Sequence, residues 1–221
     1  MAPNESEINA LIVGDSFSAD IVPKFEEYVT AQVSGQVPYH ADANRRLIKL
    51  YQCFPQTSKA EKVAEALFLA LLQFPAHTDF LALRYMIPTN TMNLEPCVSV
   101  KRCFEQLEAC QFVRFWEESY ANLQSSPLTG VLSADTVKTI QKAILQVMSL
   151  TYKEAPADVV LQAIKADSTD TIKALNHPAV ESVSKDMVVF VTTRDNSKKE
   201  RFYQESLGFE SISQLMSTIS Q

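Results

Sequence analysis

The sequence predicts a mainly α-helical protein: an N-terminal helical-repeat (HEAT/TPR-like) domain, then a winged helix with a small β-hairpin wing, then a terminal helix. Three observations lead there. Only four glycines but ten prolines occur in 221 residues, and most of the prolines fall between apolar-periodic segments of helical length. The turn-forming cluster "SSPLTGV" (Ser125 to Val131) is followed by a change of pattern to three short helical segments. Those segments end on two β-branched runs separated by "SKD", and three helices with a hairpin make the pattern of a winged helix. The boundaries that follow are 1–126 for the helical repeat, 132–205 for the winged helix and 206–221 for an amphipathic C-terminal helix.

The first repeat helix is "SADIVPKFEEYVTAQV", where Ile21, Phe25, Tyr28 and Gln32 share a stripe. Pro23 restricts its start to the neighbourhood of Asp20, because proline is tolerated only in a first turn. "DANRRLIKLYQCF" aligns Ala43, Leu47, Leu50 and Tyr51 and stops before Pro55. "SKAEKVAEALFLALLQF" opens with Ser58 and Glu61 in capping-box spacing ahead of Val63, Leu67 and Leu71. In "FPAHTDFLALRYM", Pro75 closes one helix, Thr78 is a good N-cap, and Asp79 favours the positive end of the next dipole. Phe80, Leu83 and Ile87 then form the buried face until Pro88. After the linker "PTNTMNLEP", Val100, Phe104 and Leu107 line one helix, and Phe112, Phe115, Trp116 and Tyr120 the next. That aromatic stripe reads as core, since the adjacent Glu117 and Glu118 do not suit a base-stacking platform.

In the C-terminal half, "SADTVKTIQKAILQVMSLTY" places Val137, Ile140, Ile144 and Val147 behind a Ser133 cap. "PADVVLQAIKA" starts with Pro156 near its first turn, and "DSTDTIKALN" has Asp167 or Ser168 as cap. The hairpin runs from Val180 to Thr193.

Composition excludes several functions. A net charge of -6 and pI near 5.2 argue against a polyanion as main ligand. No run approaches the roughly 20 apolar residues of a membrane span, and the N-terminus lacks a basic n-region, so a cytoplasmic protein is expected. Cys53, Cys97, Cys103 and Cys110 form no CxxC pair and are expected as reduced thiols packing like small hydrophobes. His40, His77 and His177 have no ligand-spaced neighbours, so neither a metal nor a cofactor is expected. The sequence has no G-x-S-x-G, P-loop or H-E-x-x-H pattern, and adjacent carboxylates such as Glu26 and Glu27 diverge by about 100° on a helix, so no enzyme activity is expected. The would-be recognition helix sets Asp167 and Asp170 against Lys173 alone, an arrangement unsuited to a DNA groove.

Four strings carry a resemblance. "ANRRLIKLYQCFP", "HTDFLALRYMI", "CQFVRFWEES" and "GFESISQLMSTISQ" resemble, collinearly from about Ser18 onward, the k-subunit family of eukaryotic translation initiation factor 3. The resemblance implies a PCI-type arrangement shared with proteasome-lid and signalosome subunits. It implies a non-catalytic scaffold subunit at the edge of the initiation factor, touching its l subunit, within a complex that binds the small ribosomal subunit and promotes pre-initiation complex assembly and mRNA recruitment. At the level of helices a lid or signalosome subunit, or a weak RNA-binding winged helix, would look similar.

Two candidate surfaces emerge. The strand "MVVFVT" is apolar on both faces, Val188 and Phe190 on one, Met187, Val189 and Val191 on the other. Read as an exposed wing edge, it needs cover from a partner or from the chain's own tail. The tail adds Ile212, Leu215, Met216 and Ile219 at helical spacing, expected to dock on its own winged helix or in a bundle with other subunits' tails. Met187, Val189, Val191, Leu215 and Ile219 are therefore the candidate partner interface. Arg194, Lys198, Lys199 and Arg201, interrupted by Asp195 and Glu200, are either a solvated loop or a weak ribosomal RNA contact.

Overall fold

A computed structural model describes residues 4–14, 17–124, 132–197 and 209–219. It is mainly α-helical with a small antiparallel sheet, and each element can be traced to its residues. Helix α1 (Glu5–Val13) buries Ile8 and is tied to α2 (Val22–Val33) by an ion pair from Lys24 to Glu7. A single 3-10 turn, Ala19–Ile21, is capped by Ser18 Oγ and precedes α2, so Pro23 falls in the first turn of α2, where its missing N–H costs nothing. Helix α3 (Ala41–Cys53) starts on the imidazole of His40, which accepts from Ala43 N at 3.2 Å, and packs on α2. Helices α4 (Ala60–Leu71), α5 (Thr78–Met86) and α7 (Cys97–Glu108) continue the stack, with Phe80 and Phe104 lying parallel, 3.9 Å between ring centres. The apolar stripes of these helices meet in one core, as their periodicity predicts.

Several local expectations are corrected. Helix α4 begins at Ala60 with Lys59 at its N-cap, so Ser58 and Glu61 do not form a capping box; Glu61 stands one residue too near the start to reach back. Thr78 is the first helical residue rather than the cap, which is His77 without a side-chain bond to the helix. Asp79 does more than face a dipole: it pairs with Arg45 and accepts from Tyr39 Oη, joining α5 to α3 and to the turn before it. The linker after Ile87 contains a one-turn helix, α6 (Thr89–Met92), because Met92 is buried. Cys97 and Cys103 are buried, whereas Cys53 and Cys110 are exposed; Cys110 lies beyond the end of α7, in the left-handed conformation that closes it, with Gln111 N donating to Gln106 O.

The aromatic stretch is a single rod. Helix α8 (Phe112–Arg114) runs through a π-helical turn, Phe115–Ser119, into α9 (Tyr120–Gln124). The extra residue per turn puts the adjacent Phe115 and Trp116 both inside, their rings edge to face at 4.9 Å. Phe112 is only half buried.

In the C-terminal half, α10 (Ala134–Thr151) begins on Ser133, whose hydroxyl accepts from Thr136 N as expected. Ile140 and Ile144 are buried, and Val137 and Val147 half buried. Strand β1 (Glu154–Pro156), absent from the sequence reading, leads into α11 (Ala157–Ile164). Helix α12 (Thr169–Leu175) and strands β2 (Val180–Val183) and β3 (Met187–Phe190) follow. The order is β1-β3-β2, all antiparallel, with Glu154 opposite Val189 and Val183 opposite Val188. The apolar strand is thus central, and its reading as an exposed edge is corrected. Helix α13 (Phe209–Ile219) ends the described chain.

Candidate interaction surface

The alternation expected of β3 is present: Val188 and Phe190 are fully buried against the helices, while Met187 and Val189 are half buried and Val191 is 41% exposed. With β3 in the middle, the unpaired backbone of the sheet lies on β1 and β2. β1 ends in Pro156, which has no N–H to offer a further strand. β2 exposes Glu181 and Ser182 and carries a bulge between Val180 and Ser182.

The tail candidates are separate from that face. Ile219 is 77% exposed and lies on α13 with exposed Phe209, Ile212 and Met216; Leu215 is on the same helix, and its side chain is outside the described residues. The structure does not bring Ile219 onto Met187, Val189 and Val191. Arg194 is exposed in a turn held by Asn196, while Lys198, Lys199 and Arg201 lie outside the described residues.

The sequence reading missed two features. Asn196 is a clamp: its Nδ2 donates to Val191 O at 2.9 Å, to Ser149 O at 3.0 Å and to Tyr152 O at 3.3 Å, pinning the exit from the sheet to the end of α10. An asparagine in a polar loop gives no one-dimensional sign of such distant partners. Trp116 is the other: besides packing on Phe115 and Tyr120, its indole Nε1 donates to Ala163 O in α11 at 2.9 Å.

The histidines are dispersed. His40 Nε2 meets Asn9 Oδ1 at 2.9 Å, His77 Nδ1 lies 3.2 Å from Pro75 O, and His177 Nδ1 accepts from Ala179 N at 3.2 Å. Burial, and then the Lys142 ammonium, hold the His177 imidazole below its usual pKa. Among the described residues no cluster of His, Cys, Asp or Glu has metal-binding geometry, and no helix is long and apolar enough to cross a membrane. On the would-be recognition helix, Asp170 pairs with Lys173 at 3.5 Å. The buried Glu26 carboxylate accepts from Tyr51 Oη at 2.7 Å and pairs with Lys59, so it joins α2, α3 and the start of α4. Burial and that bond push the Tyr51 hydroxyl far above its usual pKa.

A helical stack is joined to a small sheet; Val191 is exposed at the outer sheet face and Phe209, Ile212, Met216 and Ile219 along the terminal helix, while other exposed apolar side chains are spread over the helices. Comparison with known proteins places it more closely. The chain is 28% identical over 96% of its length to eukaryotic translation initiation factor 3 subunit K of Dictyostelium discoideum, covering 82% of that protein. It is 24% identical over 96% of its length to subunit K of Homo sapiens, and 26% identical over 95% to that of Nematostella vectensis, covering 95% and 94% of them. No family model matches. The chain is similar to the subunit K proteins along nearly its whole length, in agreement with the resemblance carried by its four strings.

Proposed function

We propose that this chain is a non-catalytic scaffold subunit of eukaryotic translation initiation factor 3, acting in the cytoplasm within a complex that binds the small ribosomal subunit and promotes pre-initiation complex assembly and mRNA recruitment. The observation that carries this reading is the likeness to subunit K proteins, which spans 96% of this chain and 82% and 95% of the Dictyostelium discoideum and Homo sapiens proteins. Two further points support it. Helices α10, α11 and α12 with strands β1 to β3 suit a winged helix at 132–205, and the antiparallel stack before them suits a helical repeat at 1–126, with 206–221 as the terminal helix. The terminal helix carries four exposed apolar side chains, Phe209, Ile212, Met216 and Ile219, as suits a chain that makes contacts with others.

The partner interface of this reading is the outer sheet face, Met187, Val189 and Val191, together with Leu215 and Ile219 of the tail, facing the l subunit. Strand addition, if the partner brings a strand, takes place on β2, since β3 has no free side. Arg194 with Lys198, Lys199 and Arg201 is the place for any ribosomal RNA contact.

Affinity purification from its own cells, with identification of the co-purifying chains, tests the assignment: initiation factor 3 subunits are expected, and proteasome-lid or signalosome subunits in their place overturn it. The interface is tested by pull-down of the l subunit with Val189→Lys and with a chain ending at Gly208, each checked for folding by circular dichroism. Wild-type binding by both folded variants moves the interface to the helical stack.

A further inference from the structure

One apolar groove lies apart from the sheet face. It has a volume of about 350 Å³ and is bounded by Phe112 and Val113 of α8, the last turn of α10 at Met148 and Tyr152, and α11 at Val159, with Cys110 also in its lining. Among the described residues no charged side chain lines it. Val113, Tyr152 and Val159 are exposed, so the groove is open to water, an unfavourable state for this much apolar surface.

The same molecule carries a complementary surface. On α13 the exposed Phe209, Ile212, Met216 and Ile219 fall at i, i+3, i+7 and i+10, one stripe about 15 Å long at 1.5 Å per residue. The only charge on this helix is Glu210, in its first turn. Eleven residues are too few for a helix to be stable in water without a surface to lie on.

The route of the chain connects the two. Asn196 Nδ2 is bound to the carbonyls of Ser149 and Tyr152, in and just beyond the last turn of α10, so the backbone leaves the sheet beside the groove wall that Tyr152 forms. From Ser197 to Phe209 there are eleven intervening residues, a span of up to roughly 40 Å when extended. The start of the tail is thus adjacent to the groove and its reach is ample.

We infer that α13 folds back in cis and seats its apolar stripe in the groove between α8, α10 and α11. The occupant is the chain's own helix rather than a second copy. A short tether holds α13 near its groove at an effective concentration on the order of millimolar, which a second copy would have to exceed. The contact does not depend on which assembly the protein enters, but it has a consequence for any: a partner that takes α13 uncovers the groove, so the tail and the groove become available together.

Cys110 is a built-in reporter, because it lines the groove and is exposed, and the exposed Cys53 at the end of α3 is an internal control. In the full chain Cys110 should react with a maleimide about tenfold more slowly than in the Ile212→Lys/Met216→Lys variant, the ratio expected if the closed form predominates about ten to one. Cys53 should react equally in both. Both substituted residues are exposed, and circular dichroism verifies the fold. Equal Cys110 rates in the two proteins overturn the inference. So does protection that grows with protein concentration together with dimer in light scattering, which assigns the groove to a second copy. As an independent measurement, a short thiol-to-thiol cross-linker should join Cys110 to Met216→Cys within one chain; exclusive cross-linking between chains also overturns it.

Discussion

Replacing Trp116 probes the joint between the two halves of the molecule. Its indole is 2% exposed, stacks edge to face with Phe115 and Tyr120 at 4.9 and 5.1 Å, and donates to Ala163 O at 2.9 Å. Trp116→Ala removes a large buried ring, a change that costs about 3–5 kcal/mol. It also leaves the Ala163 carbonyl without its donor, worth about 1–3 kcal/mol if water does not replace it. Against a total stability of about 5–15 kcal/mol this variant is at the margin of folding. Trp116→Phe is the sharper perturbation, since it keeps an aromatic ring in place and deletes the N–H; about 2–4 kcal/mol is expected from the lost bond and the smaller ring. For a chain of this size each kcal/mol lowers Tm by about 2–4 °C. Thermal and denaturant unfolding followed by far-ultraviolet circular dichroism measures this, as Trp116 is the only tryptophan and its fluorescence goes with it. A Trp116→Phe protein that melts with the wild type would refute the structural role, and one that also failed to bind its partner would make Trp116 an interface residue.

Three further outcomes are expected. Glu26→Ala should destabilise by about 1–3 kcal/mol, because the buried Tyr51 hydroxyl loses its acceptor, and Tyr51→Phe by less, since Lys59 still pairs with the carboxylate; the reverse order in denaturant titrations contradicts the proposed three-helix joint. Native protein at pH 8 should take up two alkyl groups, on Cys53 and Cys110, and four in denaturant, since burial pushes the Cys97 thiol up to about 11 and Cys103 up to about 12; modification of either buried thiol under native conditions, read by peptide mass, contradicts this. His177 has a folded pKa below its unfolded value, so its contribution is fully present above about pH 6.5 and is lost as pH falls through the folded value, when the proton displaces the bond from Ala179 N. His177→Gln should flatten that part of the stability profile between pH 7 and 5, and superimposable profiles would show the histidine to be silent.

How much was legible in one dimension depended on the range of the interaction. The stripes of α2, α3, α4, α5 and α7 were plain because helical burial repeats every three or four residues, and the buried Phe25, Leu47, Leu67, Leu83 and Phe104 are where that period places them. The Ser133 cap was legible for the same reason, donor and acceptor being three residues apart. The capping box at Ser58 failed because a start shifted by one residue cancels it. The alternation of Met187 to Val191 was legible, but not its place in the sheet. β1 is three residues long, too short for a period to show, and only its pairing with β3 makes it a strand.

By itself, then, the sequence determined the helical class, the order of the longer helices and of the β2–β3 hairpin, their buried faces and the similarity to subunit K, all of which are written in local period or in collinear strings. The tertiary structure alone decided that β3 is central, that Asn196 clamps the end of α10, that Trp116 reaches Ala163, and that an apolar groove opens beside Tyr152. Each of these joins residues 30 or more positions apart. A hydrogen bond or a pairing of that span depends on the packing of everything between its ends, and no pattern in the neighbouring residues encodes it.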